Sequence, residues 1–255
     1  MIWTGFHIRS DIFSHDVLDR GETSLNVTVN AGTVTGPHNK VNNKNNQDAY
    51  ASLQENGHTV VAVADGAGSL RLSDIGASIA ASTSVAETMD ALNDGIDTMG
   101  AVQKGLEAAR HALLDRDDHE EIGCTIALAA ISGDTWAVAV VGDAFAVVSY
   151  ANNHHTLIRP DKIGEFANLT TLLTSRNNNY QPLYYSGDEP IVAISLSSDG
   201  LENVSIAENA PSPGFWNPVV KRALEDDGMD VQAFLDYMDD KEKVVDDTTL
   251  VIAHR

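Results

Sequence analysis

The chain has 255 residues, 43% of them apolar and 6% aromatic, and a formal net charge of −21. That is enough chain for a full hydrophobic core, read here as one domain over 1–255 with its motif-bearing part from about 24 to 255. The acidic balance excludes nucleic acid and an anionic membrane as partners, because both bind basic surfaces, and no apolar run approaches the roughly 18 residues of a membrane helix.

Residues Met1 to Asp16 lack a basic segment followed by an apolar one, so no signal peptide is expected. The alternation of Leu25, Val27 and Val29 reads as a strand within Thr23–Thr35. Gly36 to Asn46 is a polar, Asn-rich loop that holds His38, Lys40 and Lys44. Ala49–Leu53 and His58–Ala64 read as two strands joined by a hairpin turn at Glu55-Asn56-Gly57. The period then becomes helical, with Ile75, Ile79, Val85, Met89 and Leu92 on one face, Ser73 or Asp74 as the cap and Gly95 as the stop. A second helix runs from about Thr98 to Leu114, with Asp97 as a cap and Val102, Leu106, Ala109 and Leu113 inward.

Strands follow at Cys124–Ile131, Thr135–Val141 and Ala144–Tyr150. The turn Ser132-Gly133-Asp134 joins the first pair, and Gly142-Asp143 reads as a tight turn joining the second. Residues 151–190 read as a surface excursion with a short strand, then Ile191–Leu196 as a buried strand. Helices are expected at about Pro218–Glu225 and Val231–Met238, and a last strand at Thr248–Ala253. Hairpin-linked strands and paired helices favour antiparallel sheets with helices packed outside. Cys124 is the only cysteine, which excludes a disulfide framework. It lies in an apolar run and reads as a small core residue, and a cytoplasmic location is the default.

The acids at the ends of apolar runs carry the chemistry. Val60 to Ala64 ends in Asp65-Gly66-Ala67-Gly68. A carboxylate at a rigid strand end, beside a bare glycine backbone, is a half-site for a hard divalent cation, although Asp-Gly is also an ordinary turn. Asp48, Asp143, Asp199, Asp246 and Asp247 each sit at a similar edge. Clustered carboxylates cannot all stay ionised without cations. Two divalent ions about 3.5–4 Å apart can hold a bridging water, lower its pKa and turn it against phosphorus.

The ordered set Asn46-Gln47-Asp48-Ala49, Asp65-Gly66-Ala67-Gly68, Gly123-Cys124-Thr125, Gly142-Asp143-Ala144, Ser197-Ser198-Asp199-Gly200-Leu201 and Asp246-Asp247-Thr248-Thr249-Leu250-Val251 resembles the metal-dependent protein phosphatases of type 2C, the PPM class. The match spans about Gly36 to Ala253. His38 upstream and Gly164-Glu165-Phe166-Ala167-Asn168-Leu169-Thr170 resemble a bacterial branch of that family. The resemblance implies an α+β fold, a four-layer αββα sandwich of two antiparallel sheets flanked by helix pairs. It implies two or three Mn²⁺ or Mg²⁺ ions as cofactors. By position, Asp65 would bridge two of them, the Gly66 carbonyl would hold the second, Asp199 and Asp246 the first, and Asp143 with Asp199 a third. Asp48 would orient a water at the metals. The implied activity is hydrolysis of phosphoserine and phosphothreonine in a protein substrate, with a cognate Ser/Thr kinase or its targets as counterpart.

Two positions depart from the better-known branch. Gln47 stands where an acidic residue binds the second metal, and Asn43 where an arginine grips the phosphate. His38 is the favoured catalytic substitute, with Lys40, Lys44 and Arg71 as other cations within reach. The same departures motivate an alternative, a catalytically weak or inactive pseudophosphatase acting as a metal-dependent binding module.

Overall fold

The computed structural model describes residues 27–160, 170–176, 179–225 and 228–255. In chain order its elements are β1 (Thr28–Val34), α1 (Pro37–Val41), β2 (Asp48–Glu55), β3 (His58–Gly66), α2 (Ser73–Asn93), α3 (Thr98–Leu114), β4 (Cys124–Ser132), β5 (Thr135–Val141), β6 (Phe145–Ser149), β7 (His155–Ile158), β8 (Leu183–Gly187), β9 (Ala193–Ser197), α4 (Glu202–Ser205), β10 (Ile206–Ala207), β11 (Ala210–Pro211), α5 (Pro213–Ala223), α6 (Val231–Asp240) and β12 (Thr248–His254). One five-stranded sheet has the order β1-β12-β9-β6-β7, the other β2-β3-β4-β5-β8, and every pairing in both is antiparallel. This is an α+β fold of two antiparallel sheets with flanking helices.

The central strands read as unbroken apolar runs because both of their faces are covered. Side chains alternate between faces along a strand. In β3, Val60, Ala62 and Ala64 join the cluster formed with α2 and α3. Val61 and Val63 instead join a second cluster with Ala146, Val148, Leu196, Val251 and Ala253 of the other sheet. On β12, Leu250 and Ile252 join a third cluster with Trp216, Val220 and Leu235 of α5 and α6. The same period places Asp65 with Val61 and Val63, on the face turned to the other sheet.

Local chemistry explains most element ends. Asn56 and Gly57 have φ of 51° and 79°, the paired left-handed residues that a two-residue hairpin requires. Asp97 caps α3 by accepting from Gly100 N at 2.7 Å. Helix α2 departs from expectation: its N-cap is Leu72, with no side-chain cap. Ile75 is 40% exposed, and the buried stripe is built from Gly76, Ala77, Ala80, Ala81, Ser84 and Thr88 together with Val85, Met89 and Leu92. Small residues let α2 approach its neighbours closely, and a Cβ on Gly76 would lie 1.8 Å from the Ile122 carbonyl oxygen.

Other expectations are corrected. The Gly36–Asn46 loop contains the short helix α1, started by Pro37 in its first turn. The 151–190 excursion holds two strands, β7 and β8, each at the edge of a different sheet. Helix α5 begins at Pro213, five residues before the expected Pro218, which lies exposed inside it. Gly142-Asp143 does not close a hairpin: β5 pairs with β4 and β8, and β6 with β7 and β9. The turn therefore carries the chain from one sheet to the other. The reading of residues 23–26 as strand and most of the 164–170 motif fall outside the described residues.

Gly76→Ala has no space for its methyl group beside a backbone carbonyl. It is expected to lower stability by about 3 kcal/mol, read as a shift in the urea midpoint without a change in slope.

Candidate metal centre

Four chain segments bring acids to one end of the space between the sheets. Asp65 ends β3, Asp143 lies in the crossing between sheets, Asp199 follows β9, and Asp246-Asp247 precede β12. All five line one cleft of about 240 Å³, with Gln47, Gly66, Ala67, Gly68, Thr125, Thr170 and Leu172. Carboxylate oxygens of Asp65, Asp143 and Asp199 lie within 4.8 Å of one another, close enough to share a divalent cation. Gly142 makes Asp143 available. Its φ is +86°, and a Cβ there would lie 2.5 Å from Thr125 Cγ2, so only glycine turns the chain in that space.

Asp48 is buried and stands directly across the ladder from Asp65. Its Oδ2 accepts a hydrogen bond from Ser198 Oγ at 2.7 Å, whereas Oδ1 has no hydrogen-bond partner among the described residues. Burial, with smaller contributions from Asp247 and Asp199, pushes its carboxyl up to about 7. Asp65 is held well above the usual carboxylate range by burial first, and then by the charges of Asp48, Asp199, Asp143 and Asp246. Thr125 Oγ1, paired in register with Asp65, is a second buried oxygen without a partner. Hard oxygen donors, two orphaned oxygens and carboxyls pushed toward protonation fit a divalent cation, which would offset the repulsion.

Of the residues singled out by sequence, Asp65, Gly66, Asp143, Asp199 and Asp246 meet in the cleft, and Asp48 stands buried beside it. His38 does not line it. His38 is exposed on α1, with a ring nitrogen 3.4 Å from Asn42 Nδ2. Lys40 pairs with Asp239 and Arg71 with Glu121, and neither lines the cleft. The described lining residues include no Lys, Arg or His. Cys124 is fully buried, and burial pushes its thiol upward, as fits a core residue.

The sequence reading placed Asp247 at a strand edge and Thr170 at the end of a motif without giving either a contact, and it passed over Asn39. Asp247 is buried and accepts from Gly36 N at 2.6 Å, Gln47 N at 2.6 Å and Asn39 Nδ2 at 2.8 Å. It fastens the α1 loop and the start of β2 to the start of β12. Asn39, the buried residue of α1, also reaches Gln47 Oε1 at 3.3 Å, while Gln47 Nε2 donates to Ser73 Oγ. The Gln47 amide is thus held between α1 and α2. Thr170 Oγ1 donates to Asp143 Oδ2 at 2.8 Å. The doubled Asp246-Asp247 was the signal for Asp247; nothing in the loop composition distinguished Asn39 from its neighbouring asparagines.

A family model described as protein phosphatase 2C matches residues 35–236. The chain belongs to the protein phosphatase 2C family. No curated protein matches this type 2C chain in sequence. Its fold is similar to a serine/threonine phosphatase of Staphylococcus aureus (14% identity, 95% of this chain and 99% of that one covered, TM-score 0.63). It is also similar to the Mycobacterium tuberculosis serine/threonine phosphatase PstP/Ppp (16%, 89% and 98%, TM-score 0.64) and to an S. agalactiae serine/threonine phosphatase (18%, 90% and 99%, TM-score 0.61). These neighbours share the fold.

Two outcomes test the centre without turnover. In the metal-free protein, Asp48 and Asp65 have raised folded-state pKa values, so their contribution is present below the unfolded carboxylate pKa near 4. It is lost as pH rises through about 7, the Asp48 value. The EDTA-treated protein is expected to lose thermal stability over that window. Asp65→Asn should flatten the loss and raise the metal-free melting temperature, by about 2–4 °C per kcal/mol recovered, while weakening Mn²⁺ binding in calorimetry. Asp247→Ala orphans three donors and is expected to cost about 2–4 kcal/mol by chemical denaturation.

Proposed function

We propose that the chain is a metal-dependent phosphoprotein phosphatase that hydrolyses phosphoserine and phosphothreonine, with Mn²⁺ or Mg²⁺ at the acidic cleft. The observation that carries this reading is the convergence of Asp65, Asp143 and Asp199 on one point beside Asp246 and the buried Asp48. The three apolar clusters support the four-layer αββα order that would hold such a cleft at one end of the paired sheets.

In this reading Asp65, Asp199, Asp246 and the Gly66 carbonyl would hold two core cations, and Asp143 with Asp199 would hold a third. Bound there, the cations supply a water of lowered pKa as nucleophile and neutralise charge on the phosphoryl oxygens. Asp48 keeps Oδ2 fixed on Ser198 and leaves Oδ1 to accept a hydrogen bond from water in the cleft. Asp247 and Asn39 keep Gln47 in position at the rim. A cytoplasmic protein substrate with a cognate Ser/Thr kinase completes the proposal.

A second reading rests on the lining itself. Gln47 is neutral and no cationic side chain faces the cleft among the described residues, as a weak or inactive pseudophosphatase would show. Hydrolysis of p-nitrophenyl phosphate and then of phosphothreonine peptides separates the two. The phosphatase requires turnover that EDTA abolishes, Mn²⁺ restores and Asp199→Asn lowers by about a hundredfold. Tight Mn²⁺ binding with no turnover on either substrate would favour the pseudophosphatase.

A further inference from the structure

A second, larger cavity of about 530 Å³ lies on the other side of one short segment from the acidic cleft. It is lined by Arg110, Leu114, His119, Glu120, Thr174, Ser175 and Arg176. Thr170 and Leu172 face the acidic cleft, and Thr174, Ser175 and Arg176 face this cavity. The segment between them is fixed. Leu173 N donates to Cys124 O at 2.7 Å, and Ser175 N donates to Leu172 O at 2.9 Å, which closes a turn. Arg110 is buried, donates to the carbonyls of Leu173 and Ser175, and stacks its guanidinium 4.0 Å from the Tyr180 ring centroid. The wall is therefore preformed.

The charge of the two hollows is opposite. Among the described residues, five aspartates and no cation line the cleft. The described lining of the cavity holds two arginines, a histidine and a glutamate. In a chain of net charge −21, a hollow with more arginines than acids is an exception. Arg176 is exposed and makes no ion pair with any described residue. His119 donates from Nδ1 to Arg116 O at 3.0 Å, which leaves Nε2 as the ring's second hydrogen-bonding atom.

We infer that this cavity is a docking subsite for an acidic side chain of the phosphoprotein substrate, recognised by Arg176. The inference rests on the phosphatase reading for its substrate and names a feature of that substrate's sequence. One turn separates the hollows. A substrate in extended conformation, with its phosphorylated residue over the cleft, would bring a residue on one side of it to the cavity, at about 3.3 Å of reach per residue. An arginine at an open rim matches a carboxylate in geometry and charge.

The test uses the full chain with Mn²⁺ and phosphothreonine peptides of neutral sequence. Each peptide carries one glutamate, placed in turn at positions within about five residues on either side of the phosphothreonine. One position is expected to raise kcat/KM by about three- to tenfold, through KM. Arg176→Glu should abolish that preference and transfer it to the lysine peptide of the same position, Arg176→Lys should keep part of it, and p-nitrophenyl phosphate turnover should stay unchanged in both. Indifference of the wild-type protein to every glutamate position overturns the inference, and so does an equal loss on p-nitrophenyl phosphate in Arg176→Glu. If wild-type protein turns over no p-nitrophenyl phosphate, the phosphatase reading fails by itself. Anisotropy of the same labelled peptides then decides the subsite: a glutamate preference that Arg176→Glu removes upholds it, and none overturns it.

Discussion

The structure depends on placing like charges together at the open end of an apolar sandwich. Asp48 and Asp65 face each other across the β2–β3 ladder, and Asp143, Asp199 and Asp246 raise the Asp65 pKa further. Two unit charges about 4 Å apart repel by about 1 kcal/mol in water and about 4 kcal/mol at a protein surface. Several such pairs compare with the roughly 5–15 kcal/mol that keeps a domain folded. The acids must therefore be relieved by protons or cations. Meanwhile the fully buried runs of β3, β4, β5 and β12 hold the backbone that presents them.

Asp247 shows that the arrangement is one of environment rather than of residue type. It lines the same cleft as Asp65 but accepts three hydrogen bonds, two of them from backbone N–H groups. A carboxylate so surrounded is a structural clamp. Asp65 has carboxylates where Asp247 has donors, and so, with Asp143 and Asp199, it would be relieved by a positive guest. Two aspartates of one cleft thus differ in role: one holds the fold, and the other is placed to hold an ion.

Local patterns were legible where one residue decides one geometry. The Asn56-Gly57 hairpin, the Asp97 cap, the inward face of α3 and the strand-end position of Asp65, Asp143 and Asp199 follow from turn chemistry and period. What was not legible depended on partners distant in sequence. Gly142-Asp143 looks like a hairpin turn, and only the pairing of β5 with β8 and of β6 with β9 makes it a crossing. The buried stripe of α2 is made by alanines and serines, whose weak apolar signal hid the face that Ile75 seemed to mark. His38 and Asn39 are adjacent loop residues in sequence. The α1 turn buries one against Asp247 and leaves the other in solvent.

Charge also bears on how a phosphorylated partner could be met. A body of net charge −21 repels a phosphoprotein at long range, and that repulsion falls away beyond about 8–10 Å at physiological salt. Recognition then rests on groups that act at contact. The acidic cleft offers none without cations, since its described lining carries no positive side chain. With cations bound, the same carboxylates would hold the positive groups that meet a phosphoryl group at contact. The neighbouring cavity needs no such guest, because its described lining carries the guanidinium groups of Arg110 and Arg176. In the proposed docking, the segment from Thr170 to Arg176 would join a cleft whose charge depends on bound cations to a cavity whose arginines need none, so an acidic side chain would be held there whether or not the cleft is loaded.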